Sequence, residues 1–141
     1  QMRVKRVAIA EECETTGTHE PVMGFAVPSD ADSTVKRSEA YCRQFETWIN
    51  EQPAAGIAWR ERMAAGRPDL NDVLPEIDVP VAVVCGDKDP SSPPAVMGPV
   101  ANAMAKADVS MTVVDDCGHF SAYEHPDQVA AALLELVRRV G

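Results

Sequence analysis

Two short stretches hold the residues whose types and spacing could do chemistry. In "VVCGDKDPSSPP" (83–94) an apolar run ends at a glycine, Asp87 and Asp89 follow, and prolines begin. In "VVDDCGHFSAYEHP" (113–126) the same construction leads to Gly118 and His119. A histidine beside a buried carboxylate is a general base held in one tautomer, and the carboxylate stabilises the imidazolium that forms. Gly118 removes bulk from the turn before His119, and Pro90 restricts the backbone after Asp89. Asp89 and His119 are therefore the candidate acid–base pair, and what such a pair needs next is a nucleophile.

The pair is useful only if the fold brings it together. The run "VPVAVVC" (79–85) is β-branched and continuously apolar, as expected of a strand covered on both faces. Met97, Val100, Ala101 and Met104 mark a helix that begins near the paired prolines, which suit a first helical turn. "VSMTVVDD" is a second strand, with Val109, Met111 and Val113 alternating. The chain closes on an amphipathic helix through Val129, Leu133, Leu136, Val137 and Val140, with Arg138 and Arg139 placed to suit its dipole. Strand, helix, strand, helix is the order of a parallel sheet with right-handed crossovers. Ligands of such sheets bind at the carboxyl ends of the strands, and Asp89 and His119 each follow one of those ends.

Upstream the pattern changes. "RVKRVAIAEE", with Val4, Val7 and Ile9, reads as a short leading strand (1–12), and Gln1 ahead of Met2 reads as a cloning remnant. Residues 13–33 are rich in Thr, Gly, Pro and Asp and read as irregular. Tyr41, Phe45, Trp48 and Ile49 then mark one face of a helix, and a second helix covers "AAGIAWRERMAAGRP", with Gly66 near its cap and Pro68 beyond. Residues 13–75 are thus a loop and helical cap-like region, whose aromatic stripe is core and could also serve as an apolar lid. Residues 76–141 are the strand–helix–strand–helix segment.

The segments "IDVPVAVVCGDKDPSSPP" and "VSMTVVDDCGHFSAYEHPDQVAAALLELV" resemble the C-terminal half of the α/β-hydrolase fold family. The resemblance covers residues 77–140. It implies an α/β fold, here a partial parallel sheet with crossover helices plus a small helical cap-like region. It also implies Asp89 as the triad acid and His119 as the base, with Asp87 a turn residue and Glu124 and Pro126 the lead into the last helix. That family's nucleophile sits in a G-x-S-x-G elbow upstream of these elements. Ser29, Ser33, Ser38, Ser91, Ser92, Ser110 and Ser121 all lack the flanking glycines. The expectation is a C-terminal portion of a hydrolase of small esters, lactones or amides, completed by a nucleophile-bearing half. The alternative is a non-catalytic module that self-associates through an exposed sheet edge.

Other readings of the same residues remain. Cys117, two positions before His119, could form a Cys/His pair, but closeness in sequence does not supply the geometry, and it reads rather as a small residue packing the turn. Asp87, Asp89, Asp115, Asp116 and His119 could gather around a divalent cation, although their spacing is no metal signature and no cofactor is expected. His19 and His125 lie in polar, Pro-flanked stretches and read as surface residues. A formal charge of −9 argues against nucleic acid or an anionic membrane as partner, and no apolar run is long enough to span a bilayer. Four cysteines without C-x-x-C spacing, and no secretory signal, suggest a reducing, cytoplasmic setting.

Overall fold

A computed structural model describes residues 2–141; Gln1, read above as a remnant, lies outside the described residues. The expected leading strand is instead helix α1 (Met2–Thr16). Its residues are mostly good helix formers, and extending the view past Glu12 shows why the helix wins. Ile9, Ala10 and Cys13 fall on one helical face, with Ala10 and Cys13 fully buried. Gly17, at φ +67, ends it, and its N–H bonds the Cys13 carbonyl at 3.0 Å.

The stretch read as irregular carries a short helix, α2 (Glu20–Met23), and a 3-10 turn over Gly24–Ala26. Helix α3 (Glu39–Asn50) begins at Ser38, whose hydroxyl accepts the Tyr41 N–H at 3.2 Å. Helix α4 (Ala54–Ala65) starts after Pro53 and stops at Gly66, as the sequence suggests. Along α3, Tyr41 and Phe45 stack at 5.8 Å, and Phe45 packs on a core of Ala10, Cys13, Val22, Ile49, Ile57 and Ala58. Arg6 pairs with Glu61 at 2.9 Å, and Arg62 forks onto both oxygens of Glu14 at 3.0 and 2.5 Å. These elements make one compact unit, from residues up to Ser29 and from Ser38 to Pro68.

The second unit takes Asp30–Arg37 and Asp69–Gly141. After a 3-10 turn over Asn71–Glu76 comes strand β1 (Val81–Gly86), then α5 (Pro94–Ala103), β2 (Val109–Val114), α6 (Ser121–Glu124) and α7 (Pro126–Val140). The strands pair in parallel, with Val81 opposite Val109 and Gly86 opposite Val114, so their carboxyl ends are level. Met97, Ala101 and Met104 pack with Val81, Val83, Val109, Leu74 and Ile77 into the core of this unit.

Two apolar faces differ from expectation. Met111 and Val113 are exposed, because among the described residues the α5 core reaches along β2 no further than Val109. On α7, Ala132 is buried and Val129, Leu136 and Arg139 are half-buried, a single face spaced by three and four. Leu133, Val137 and Val140, read as inward, are exposed beside it. Arg139 holds the packed face down: its guanidinium donates to the carbonyls of Asp108 and Val81, each at 3.0 Å, and to Ser110 Oγ at 2.7 Å. The same cation still suits the helix C-terminus, but its position at the start of both strands makes it a staple. Among the described residues no helix is long and apolar enough to cross a membrane.

Candidate functional site

The level ends of β1 and β2 create the site. Asp87 N–H continues the ladder to the Val114 carbonyl at 3.0 Å, and Lys88 N–H reaches the Cys117 carbonyl at 2.9 Å. This close approach needs Gly86. A Cβ there would stand 2.1 Å from the Cys117 carbonyl oxygen, an impossible contact. The turn then places Asp89 under the next loop at 6 % exposure.

Asp89 and His119 meet: Nδ1 lies 2.9 Å from Oδ2. Oδ1 accepts the Ser91 N–H at 2.8 Å, so both carboxylate oxygens are engaged. Burial pushes the Asp89 carboxyl pKa up. The hydrogen bonds from His119 and from the Ser91 and Ser92 amides, together with the charge of His119, outweigh it, and the net shift is below the ordinary 3.8. A charged carboxylate can only accept, so Nδ1 carries a proton, and when the ring is neutral the lone pair lies on Nε2. The His119 side chain is 54 % exposed, so the ring that Asp89 orients remains accessible. A small cavity of about 220 Å³ lies against the pair, bounded also by Gly86, Ser92, Gly118 and Ser121.

The loop carrying His119 is tied at several points. Asp87 Oδ1 accepts the Cys117 N–H at 3.0 Å, which is the turn role expected of it. Asp116 sits at φ 51, a conformation its short polar side chain tolerates. Its carboxylate takes Lys88 Nζ at 2.6 Å and the Thr34 N–H at 3.1 Å, contacts that lower its pKa strongly. His125 is half-buried rather than on the surface, because its Nε2–H donates to the Asp116 carbonyl at 3.2 Å. Glu124 is buried at 6 %, and its carboxylate accepts the N–H groups of Gly118 and Phe120 at 2.8 and 3.2 Å. The fully buried Ser33 hydroxyl donates to it as well.

The competing chemistries fare differently. Cys117 is fully buried, and its thiol is pushed up to about 11, first by burial and then by the charges of Glu124, Asp87, Asp89 and Asp116. A thiol so held is no thiolate at neutral pH and cannot serve as the nucleophile. Asp87, Asp89 and Asp116 each spend their carboxylates on a separate partner, and Asp115 is exposed. Among the described residues no group of three or more His, Cys, Asp or Glu side chains could hold a metal ion. The sequence reading missed the work of Glu124 and Ser33. Glu124 was visible only as a lead into α7, and Ser33, 91 residues away, carried no signal at all.

The family model of the Alpha/beta hydrolase family matches residues 8–132. The sequence matches none of the curated proteins compared. Among solved structures, a thermophilic esterase from Thermogutta terrifontis is similar at TM-score 0.81 and 26% identity, covering 99% of this chain and 50% of that one. MenH from S. aureus is similar at TM-score 0.80 and 18% identity, covering 96% and 51%. An esterase from Exiguobacterium antarcticum is similar at TM-score 0.71 and 18% identity, covering 96% and 48%. The last two likenesses bear on the fold alone. This chain spans about half the length of each of these structures.

Proposed function

The chain belongs to the α/β-hydrolase family, and from that premise we propose that Asp89 and His119 are the acid and base of a hydrolase active site whose nucleophile lies outside these 141 residues. The reaction is acyl transfer to water on a small ester, lactone or amide. The observation that carries this reading is the 2.9 Å bond between His119 Nδ1 and Asp89 Oδ2 at the level ends of two parallel strands. In the acylation step His119 Nε2 takes the proton of the nucleophile as it attacks the carbonyl carbon, then returns it to the leaving group. In deacylation Nε2 takes a proton from water as its oxygen attacks the acyl carbon, then returns it to the nucleophile, whose bond to that carbon breaks and frees the carboxylic acid. Asp89 stabilises the imidazolium in both steps. The small cavity beside the pair and the 26% identity to an esterase favour a small ester.

The partner in this reading is a nucleophile-bearing half, on the same polypeptide or a second one. It is needed because no serine here is flanked in the elbow pattern. His119→Ala in the complete protein is expected to lower kcat on a p-nitrophenyl ester by on the order of 10⁶. Unchanged turnover removes the assignment.

A second reading is favoured by the exposed Leu133, Val137 and Val140 and the open edge strand with Met111 and Val113. There the chain is a non-catalytic module that self-associates through these apolar surfaces. A tight symmetric dimer without esterase activity supports it over the first.

A further inference from the structure

Glu124 touches neither Asp89 nor the ring of His119 in the bonds described above, yet it grips the backbone on both sides of that histidine. The Gly118 N–H donates to Oε2 at 2.8 Å and the Phe120 N–H to Oε1 at 3.2 Å. Ser33 Oγ accepts the Lys36 N–H at 3.0 Å, which turns its own proton towards Glu124 Oε2. A Cβ on Gly118 would stand 3.0 Å from Oε1 and 3.4 Å from Oε2, so the glycine is what lets the carboxylate reach both amides. His119 is half in solvent; its ring bonds Asp89 and meets the Phe120 ring edge-on, with centroids 5.6 Å apart. Phe120 is itself carried by the clamped backbone, so the place of the imidazole depends on where that backbone is held.

We propose that Glu124 is a positioning residue for His119: its carboxylate clamps the two amides that bracket the histidine, and Ser33 fixes the carboxylate. This rests on the reading of His119 as the base. The device needs an acid rather than a side chain of that size. A glutamine offers one acceptor oxygen. With that oxygen serving Gly118 and Ser33, its NH₂ group faces the Phe120 N–H, donor against donor. The reverse orientation abandons Gly118 instead. An aspartate is one methylene too short to span both amides.

The test uses the full chain labelled with ¹⁵N and reads two quantities. In the unaltered chain the Gly118 and Phe120 amides are expected to exchange with solvent at least about tenfold more slowly than unstructured amides, as bonds to a buried carboxylate require. The ring nitrogen shifts of His119 are expected to report the Nδ1–H tautomer, and Glu124→Gln to move them towards the mixture of a free imidazole while circular dichroism stays native. Unprotected amides overturn the proposal. So does a folded Glu124→Gln chain with unchanged ring shifts. Should that variant fail to fold, Ser33→Ala is expected to produce the same movement at smaller amplitude, and no movement there overturns the proposal. In the complete protein Glu124→Gln is expected to lower kcat about tenfold or more, with KM nearly unchanged. If that protein hydrolyses nothing while the ring shifts move as stated, positioning stands and the catalytic reading falls. If the shifts do not move, positioning falls whatever the activity.

Discussion

Asp89 is pulled in opposite directions, by burial towards the neutral acid and by its hydrogen bonds and His119 towards the carboxylate, and the second pull prevails. A carboxyl whose folded pKa is depressed contributes stability above its ordinary value, here 3.8, and loses it as pH falls through the lower folded value. Asp89→Asn should therefore fall short of the unaltered chain in denaturant midpoint by its full amount above pH 3.8, and the gap should close below that pH. A gap that does not vary with pH would contradict the assignment of the charge. Cys117 gives the opposite case, a thiol kept neutral by burial and by surrounding carboxylates. Iodoacetamide at pH 8 should label half-buried Cys42 well before Cys117, and label Cys117 readily only after unfolding. Peptide mass mapping of the alkylated cysteines reads the order.

At the scale of elements, the site depends on how closely the turn after β1 approaches the loop after β2. Gly86 is the contact point, and the obstacle to a side chain there is the backbone of Cys117 rather than a flexible group that could swing away. Gly86→Ala should cost about 3 kcal/mol or more by overpacking, seen as a lower denaturant midpoint. An alanine tolerated without loss would mean the two turns are looser than described. Helix α7 is tied to the same sheet at its other end by Arg139, which bridges the starts of both strands. Much of the element level was legible in advance. The β-branched run before Cys85, the Met97/Ala101/Met104 spacing and the Pro126 start all fell where the elements form. The first helix was not, because its run was cut at Glu12, before Cys13 completed the helical period.

At the scale of the molecule, the second unit leaves apolar surface that its own elements do not cover. Leu133, Val137 and Val140 lie at i, i+4 and i+7 on α7, and β2 shows Met111 and Val113. Scattered apolar side chains need no explanation, but a row of them does. The chain alone should sediment as an associated species at micromolar concentration, and Leu133→Glu with Val137→Glu should shift it to monomer. A chain that stays monomeric unaltered would remove the reading as a self-associating module.

The sequence by itself determined the candidate pair, Asp89 and His119, and the two strands that carry it. Asp89 and His119 follow apolar runs of the kind that become parallel strands, and parallel strands put their carboxyl ends on one edge because the crossover carries the chain back to the other edge before the next strand starts. Local chemistry written in adjacent residues was enough for that. What only the tertiary structure decided is what holds the pair in place and what lies uncovered. Glu124 and Ser33 meet across 91 residues. The exposed side of α7 follows from which face meets the sheet. Pairwise contacts between distant segments, and the dielectric they create, exist only once the chain has folded.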